Sequence, residues 1–363
     1  MKTARIVFLD YLRVIACLMV MVIHATEPYY LNADGLFIAN RADALWVTLV
    51  ECLCRICVPL FVIASSYLLF PVNGETGAFF RRRLSRVLVP FVVWTLVYVA
   101  CFDGDWGRLL FNFPDAGGHL WFVPMLLGLY LLMPLLSPWA ERVGRKELRG
   151  WIFLWLLTTL FPYFRHLWVF LFGEPSFGSV PYLWGECPWN EFGAFYYVSG
   201  FVGYLLIGLW FRRFAATPDI RQTVRVAVPL WIVGVVLMGG LFFGRMSRAF
   251  PWTAPYAAAV DLEMGIEYCS LGVALAVIGA FMFLRHIRWD GAFYARVVRP
   301  LAEASYGMYL VHLLVLVFVS GALKPILPTP LCILATAVST FAASALITLV
   351  IRRIPKVGSW ICG

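Results

Sequence analysis

Long apolar runs, separated at intervals by clusters of Arg and Lys, constrain this chain more than any other feature. Runs such as 87–101, 120–139 and 331–351 carry no charged side chain, and they approach the ~20 apolar residues that cross a bilayer. Charged residues make up 13% of the 363 residues, about half the roughly 25% of a soluble domain, and the mean hydropathy is +0.83. These properties predict an all-α, polytopic integral membrane helical bundle whose surface lies mostly in lipid.

The basic residues alternate along the chain. Of the 29 Lys and Arg residues, 21 fall at the termini or in every second connection and only 6 in the connections between, while Arg13 and Arg55 lie inside helices. This is the positive-inside distribution, in which Lys and Arg mark cytoplasmic loops. It predicts that both termini are cytoplasmic, which requires an even number of spans. It also explains the net charge of +9 without a nucleic-acid partner.

The apolar pattern predicts about ten transmembrane helices in a single domain, 1–363, with no attached soluble domain. The predicted helices cover 7–25, 44–70, 87–103, 119–138, 150–168, 192–211, 226–244, 263–284, 300–320 and 331–351. The longest outer connections, 26–43, 169–191 and 245–262, are rich in Pro, Gly and aromatic residues. They either cover a pocket, with aromatic rings for stacking on sugars, or supply the aromatic belt of the membrane interface. The Gly240-x-x-x-Gly244 spacing predicts close helix packing.

Metal and nucleotide cofactors lack a sequence signal. There is no P-loop, zinc-protease helix or dinucleotide-binding glycine motif, so ATP hydrolysis and redox cofactors have no support. Most of the nine Cys residues lie in predicted helices, where a thiol acts as a small apolar group. Cys52, Cys54 and Cys57 are close in sequence but lack the spaced His or Cys partners of a zinc site. We predict no bound metal.

The first predicted helix contains Asp10, Arg13 and His24. Arg13 and His24 are eleven residues apart, so they share one helix face and lie ~16 Å apart along the axis. A charge inside the membrane costs several kcal/mol unless it faces a polar interior. The face therefore indicates a buried site. The alternative is a structural Asp10–Arg13 pair at i,i+3 near the cytoplasmic interface, which leaves His24 unexplained.

Two further helices carry charged residues. Glu51 and Arg55 are spaced i,i+4 on the second helix, which is the spacing of a structural ion pair. Arg83 and Arg86 lie at the cytoplasmic start of the third. These two arginines either anchor the helix by the positive-inside rule or present two guanidinium groups to phosphates.

Two more histidines lie in apolar segments. The fourth helix begins with His119 and includes Trp121, and the ninth contains Ser305, Tyr309 and His312. A single buried His is usually a hydrogen-bonded core residue, but two His and two Arg within one predicted bundle indicate a site. These side chains are therefore further candidate site residues.

Five of these segments together resemble the membrane acyltransferase family 3. They are Arg13-x10-His24, the Val-Pro-Leu-Phe…Ser-Tyr segment at 58–67, Arg83-x-x-Arg86, His119-Leu-Trp-Phe, and Ser305-Tyr-Gly-Met-Tyr-Leu-x-His312. They follow the order of the family from the first helix to the last and cover essentially the whole chain. The chain departs from the family at Ser65-Ser66-Tyr67, where Ser-Gly-Tyr is usual, so local packing is expected to differ there.

The resemblance implies transfer of an acyl group, usually acetyl, from cytoplasmic acyl-CoA (acetyl-CoA) to a hydroxyl of an extracytoplasmic or lipid-linked saccharide. On this interpretation Arg83 and Arg86 hold the phosphates of coenzyme A. Arg13 steadies the pantetheine arm or a phosphate near the entrance, and His24 is the general base on the acceptor hydroxyl.

The same resemblance sets expectations for location and partners. It implies a bacterial cytoplasmic (inner) membrane protein whose partners are acyl-CoA, a saccharide or glycolipid acceptor and membrane lipid. A homo-oligomer is compatible with this arrangement. Two alternatives remain open: a transporter or flippase for a saccharide or its lipid-linked form, and a non-catalytic membrane scaffold.

Overall fold

The structure, a computed structural model, describes residues 5–32, 35–36, 41–103, 106–113, 117–161, 163–164, 167, 171, 198–246, 263–355 and 357–363. The predicted outer loops at 169–191 and 245–262, and residues 192–197 of a predicted helix, lie almost entirely outside these ranges. The described residues form an all-helical bundle with one short antiparallel pair, β1 (Leu31–Asn32) and β2 (Gly35–Leu36).

Thirteen α-helices lie within the described residues, in the following order along the chain. They are α1 (Val7–Thr26), α2 (Arg41–Cys54), α3 (Cys57–Leu69), α4 (Thr76–Tyr98), α5 (Trp106–Phe111), α6 (Phe122–Arg142), α7 (Arg145–Thr158), α8 (Val202–Arg213), α9 (Ile220–Met246), α10 (Leu271–Leu284), α11 (Arg299–Leu323), α12 (Thr329–Ile351) and α13 (Val357–Cys362). A 3-10 helix, Gly118–Trp121, leads into α6.

Among the described residues, seven helical segments are long and apolar enough to cross a membrane. They are Val7–Tyr29, Arg41–Leu69, Thr76–Phe102, Gly118–Arg142, Ile220–Gly244, Tyr294–Leu323 and Thr329–Ile351. The prediction of an all-α membrane bundle is thus confirmed. The other three predicted spans coincide with the shorter helices α7, α8 and α10, so the count of ten and the side of the termini stay predictions.

The second predicted helix, 44–70, is wrong as one continuous element. The chain turns at Arg55 and Ile56, between α2 and α3. Pro59 explains the break, because it has no N–H to donate to the carbonyl of Arg55 four residues earlier. The turn places Arg55 at a helix end inside the bundle, where its side chain is 5% exposed.

Two other predicted boundaries also need correction. α4 begins at Thr76 rather than at 87, so Arg81–Arg86 are helical; arginine is a good helix former, and its long stem lets the helix continue into the headgroup region. The predicted helix 263–284 is interrupted, because Met264–Ile266 is a 3-10 helix and α10 begins only at Leu271.

The segment that departs from the family pattern packs closely on α8. The Ser66 hydroxyl donates to the Leu205 carbonyl at 2.6 Å, and Gly208 of α8 faces Ser66. A Cβ on Gly208 would lie 2.5 Å from the Ser66 Cβ. At this contact the glycine is therefore on α8, and not on α3 as in the usual Ser-Gly-Tyr segment. The predicted packing role of Gly240 stays a prediction, since a Cβ there would meet no atom within 4 Å among the described residues.

Candidate functional site

A cavity of about 270 Å³ lies between α1, α3, α4, α6 and α11. We call it the arginine cavity. Two basic residues, Arg13 and Arg86, line one end of it together with Glu303 and Tyr306. The remaining lining is mostly apolar and aromatic: Val20, Val58, Phe61, Ser65, Val87, Phe122, Leu126, Tyr130, Ala302, Ser305, Tyr309 and Gly363.

The cavity runs parallel to the helices. On α1 its lining extends from Arg13 to Val20, and on α11 from Ala302 to Tyr309. Seven residues of helix correspond to ~10 Å in each case. Phe122, which begins α6, and Tyr309 lie at the end away from the arginines, with ring centroids 5.6 Å apart. His24 follows Val20 by four residues, so the cavity ends about one helical turn short of it.

Arg13 lies at the cavity and is also close to Asp10. The predicted pair is present but long, with Arg13 Nη1 3.7 Å from Asp10 Oδ1. Asp10 is buried and has closer partners, Arg5 Nε at 2.5 Å and the Tyr294 hydroxyl at 2.7 Å. The carboxylate is thus bonded mainly to these two groups, and the Arg13 guanidinium lies against the cavity.

The two arginines of α4 differ in position. Arg86 lines the arginine cavity. Arg83, one turn earlier, is half-buried but does not belong to the described cavity lining. Arg81 and Arg82 are exposed on the same helix, so the region of Arg86 is strongly basic.

Three histidines from different elements meet beyond the end of the cavity. His24 is in the last turn of α1, His119 is in the 3-10 helix before α6, and His312 is in the middle of α11. The ring centroids are 5.0 Å apart for His24 and His312, 5.4 Å for His119 and His312, and 6.4 Å for His24 and His119. We call this group the histidine cluster. The structure thus brings together residues that the sequence separates by almost 300 positions.

Hydrogen bonds fix the rings of the cluster. His24 Nδ1 lies 2.7 Å from Glu27 Oε1. Because a carboxylate only accepts, Nδ1 carries the proton and the opposite nitrogen, Nε2, has a free lone pair. His312 Nδ1 donates to the Tyr309 carbonyl at 2.5 Å, and the Tyr309 hydroxyl donates to the His119 carbonyl at 2.9 Å. Tyr309 therefore connects the cavity to the cluster.

Two nitrogens of the cluster are buried without a hydrogen-bond partner among the described residues, Nε2 of His119 and Nε2 of His312. Unpaired buried polar atoms are rare, because each one costs free energy. With the Nε2 of His24, the cluster offers basic nitrogens to a hydroxyl-bearing ligand. Glu27 was not among the sequence candidates, although an acidic residue one turn after a buried His is a usable signal.

A buried polar network lies beside the cluster. Thr26 donates to Glu51 Oε1 at 2.5 Å. The predicted Glu51–Arg55 pair is present at 3.3 Å. Arg55 also reaches Glu263 at 3.2 Å and the Ile266 carbonyl at 3.0 Å. Glu263 was missed, since it is 208 residues from Arg55 in sequence.

Aromatic rings extend from this network to the surface. Arg55 lies over the Tyr268 ring at 4.5 Å, and Trp121 lies 5.4 Å from the same ring. Trp121 is 39% exposed, although it is only two residues from His119.

Glu267 is a buried carboxyl beside the same network. Burial raises the pKa of this carboxyl to about 8, and the positive charge of Arg55 partly offsets the increase.

Ser305 is the one sequence candidate of α11 that lies away from the cluster. Its hydroxyl donates to the Ala302 carbonyl at 2.9 Å, and its side chain lines the arginine cavity. The three candidates therefore follow one another along α11. Ser305 lies beside the arginines, Tyr309 at the far end of the cavity, and His312 in the histidine cluster.

Residues 6–349 match a family model described as an acyltransferase domain. The match extends from just before α1 to the last turn of α12 and includes every candidate residue named above. Comparisons with curated proteins and with solved structures gave no significant match.

Proposed function

Since this chain belongs to the acyltransferase 3 family of membrane proteins, we propose that it transfers an acetyl group from cytoplasmic acetyl-CoA to a hydroxyl of an extracytoplasmic or lipid-linked saccharide. Family membership favours acyl transfer over the transporter, flippase and scaffold alternatives. The observation that carries the proposal is the arginine cavity, which leads from Arg13 and Arg86 to within one turn of His24.

The arginine cavity suits the donor. Coenzyme A is a polyanion joined to a thin pantetheine arm. At about 270 Å³, the cavity has room for the arm and thioester, whereas the nucleotide stays at the mouth. There Arg86 meets its phosphates, with Arg83 one turn away, and Arg13 faces the arm. The far end is narrowed by Phe61, Phe122 and Val20, which favours a short acyl group.

The histidine cluster suits the reaction step. His24 Nε2 accepts the proton of the acceptor hydroxyl while the hydroxyl oxygen forms a bond to the thioester carbonyl carbon. The carbon–sulfur bond then breaks, and the coenzyme A thiolate takes the proton from His24. Glu27 holds the imidazole in the tautomer that this step requires and stabilises the imidazolium that forms, as a carboxylate does in hydrolase triads.

The outer aromatic surface suits a sugar. Trp121 presents a half-exposed ring two residues from His119, and Tyr268 packs beside it. Aromatic faces stack on the apolar faces of sugar rings, and the unpaired His312 Nε2 accepts from a hydroxyl. In this proposal both termini face the cytoplasm of a bacterium, so the donor enters from within and the acceptor from outside.

Substitution of the general base tests the chemistry. His24→Ala should lower acetyl transfer to the background rate, measured as release of free thiol from acetyl-CoA and as labelled glycan in membrane vesicles. His286→Ala is the matched control, since His286 bonds to Thr223 of α9 and is not a member of the cluster, so this variant should keep its activity. Full activity of His24→Ala at normal expression contradicts the proposed mechanism.

Substitution of the cavity arginine tests the donor. Arg86→Ala should raise KM for acetyl-CoA about tenfold or more, because a charge-assisted contact to phosphate is lost. Arg82→Ala is the control, since Arg82 is exposed like Arg86 but lies outside the described cavity lining and bonds to the Ala78 carbonyl of its own helix. Equal effects of the two substitutions would show that only the general basic character of α4 matters.

A further inference from the structure

A second and larger cavity lies away from the proposed reaction path. It has a volume of about 850 Å³ and lies between α7, α8 and α10, closed at one end by Ala215–Pro218 and the start of α9. We call it the basic groove. None of its lining residues belongs to the arginine cavity or the histidine cluster, so the proposed acyl transfer leaves it unused.

The groove is basic at one end. Lys146 and Arg149 in the first turns of α7 and Arg285 after α10 line it, and the described lining contains no carboxylate. The nearby acids face elsewhere: Glu147 accepts from Trp139 Nε1 at 2.8 Å, and Asp219 accepts from the backbone of Gln222 at 2.9 Å. The positive charge of this end is therefore uncompensated by its own lining.

Arg285 is held in place at the base of this end. Its Nη2 donates to the Ala215 carbonyl at 2.8 Å, and its guanidinium lies 5.3 Å from the centre of the Phe211 ring. Burial lowers the pKa of Arg285, and the neighbouring Tyr67 hydroxyl offsets this only in part, so its positive charge is less well solvated than in water. An anion at this point would relieve that cost.

The rest of the groove is apolar. From Lys146 to Leu156 the wall of α7 runs ten residues, or ~15 Å, which is half of the ~30 Å hydrocarbon core. Phe153 on this wall is 60% exposed, and Leu156 and Met282 face the groove deeper in. A cationic end joined to an apolar channel as long as one leaflet matches a phospholipid, with its phosphate at the basic end and an acyl chain along α7.

We propose that the basic groove binds one anionic phospholipid from the leaflet at the basic end of the bundle, which is the cytoplasmic leaflet in the orientation proposed above. Charge selects the anionic headgroup over a zwitterionic one, and the apolar wall selects a lipid over a soluble phosphate. Ring contacts connect the groove to α1, the helix that carries His24. The Phe211 ring lies 4.9 Å from that of Phe281, and the Phe281 ring lies 5.8 Å from that of Phe8 on α1.

Native mass spectrometry of the delipidated full chain tests the site without any substrate, so the result is independent of the proposed acyl transfer. Dioleoyl phosphatidylglycerol should bind at least about tenfold more tightly than dioleoyl phosphatidylcholine. The double variant Lys146→Glu and Arg149→Glu should abolish this preference. The control pair Arg221→Glu and Arg225→Glu changes the same charge on α9, outside the groove, and should keep it.

A third variant separates lipid from free phosphate. Leu156→Trp fills the apolar channel without changing charge and should weaken binding of the phospholipid, with thermal unfolding confirming that the variant is folded. Equal binding of the two lipids, equal loss in both double variants, or competition by glycerol phosphate as strong as by the lipid would each overturn the proposal.

Discussion

At the residue scale, the chemistry proposed for His24 depends on Glu27. The 2.7 Å bond between His24 Nδ1 and Glu27 Oε1 determines which ring nitrogen is protonated. A base that is held in the correct tautomer differs from one that is only nearby, because the wrong tautomer presents a proton where a lone pair is needed. Glu27 is thus a positioning residue for the proposed reaction.

Glu27→Gln should lower kcat about 10²-fold while KM for acetyl-CoA stays within about twofold, because the amide no longer enforces the tautomer and the donor cavity is untouched. Steady-state thiol release measures both constants. Glu27→Asp should recover part of kcat, and Glu147→Gln, an exposed change on α7, should have no effect. A rise in KM with kcat unchanged would assign Glu27 to substrate binding instead.

Glu267 gives the protein a pH-dependent stability. Burial raises the pKa of this carboxyl from 4.5 to about 8, so between these values the folded state binds a proton that the unfolded state releases. The stability from this group is complete below about pH 4.5 and is lost as pH rises through about 8. Glu267→Gln imitates the protonated form, so its Tm should exceed that of the unchanged protein increasingly from pH 5 to pH 8. Parallel Tm curves for the two proteins would contradict this assignment.

The sequence could predict the members of the site that stand out from apolar surroundings. Arg13, His24 and His312 are polar residues in apolar runs, and such residues are costly without a role. Glu27 and Glu263 could not be found in this way, because they lie at the ends of predicted helices, where an acidic residue is ordinary. Their importance comes from contacts made by folding, such as the 3.2 Å contact of Glu263 with Arg55.

At the element scale, the helices were predictable where an apolar run is uninterrupted. The ends of α1 and α12 lie within two residues of the predicted ones. A difference of this size is the usual disagreement between methods of assigning helix ends. The breaks before α3 and α10 were not predicted. Hydropathy measures how apolar a segment is, and it contains no information on whether a backbone hydrogen bond of the helix is absent. Both breaks adjoin the polar network, where Arg55 donates to the Ile266 carbonyl freed by the second break.

Gly208→Ala should destabilise the protein by about 1–3 kcal/mol, since its Cβ would contact Ser66 and the Ile63 carbonyl where there is no space. Thermal unfolding in detergent measures the loss. The double variant with Ser66→Gly should recover part of it, because the side-chain contact disappears while the contact with the backbone carbonyl stays. Gly240→Ala is the control and should be neutral or slightly stabilising; an equal loss at Gly240 would mean that helix α9 is sensitive to any change.

At the whole-molecule scale, the positive-inside pattern orients the bundle. It predicts that the chain after α12 is cytoplasmic and that the connection between α11 and α12 is on the outer side. The composition alone was enough to predict a membrane bundle. The assembly of the site could not be predicted in the same way, because it depends on which helices pack against each other, and hydropathy contains no information on helix packing.

Reporter fusions test this orientation. A fluorescent protein fused after Gly363 should fluoresce and a phosphatase at the same point should be inactive, because each reporter works on one side of the membrane only. Fusions after Lys324, between α11 and α12, should give the opposite pair of results. The reversed pattern at both points would invert the proposed direction of donor entry.

The ring contacts at the end of the arginine cavity bear on proton leakage across the membrane. Phe61 lies 5.9 Å from Phe122, and Phe122 lies 5.6 Å from Tyr309. These three aromatic side chains lie between the rest of the arginine cavity, where we propose that coenzyme A binds, and the histidines. An enzyme whose two substrates come from opposite sides would otherwise contain a water-filled channel lined by Arg and His, through which protons could pass. For the proposed reaction we expect these three side chains to admit the thin thioester arm and to exclude a column of water, so that acyl groups cross the protein while the electrochemical gradient is preserved.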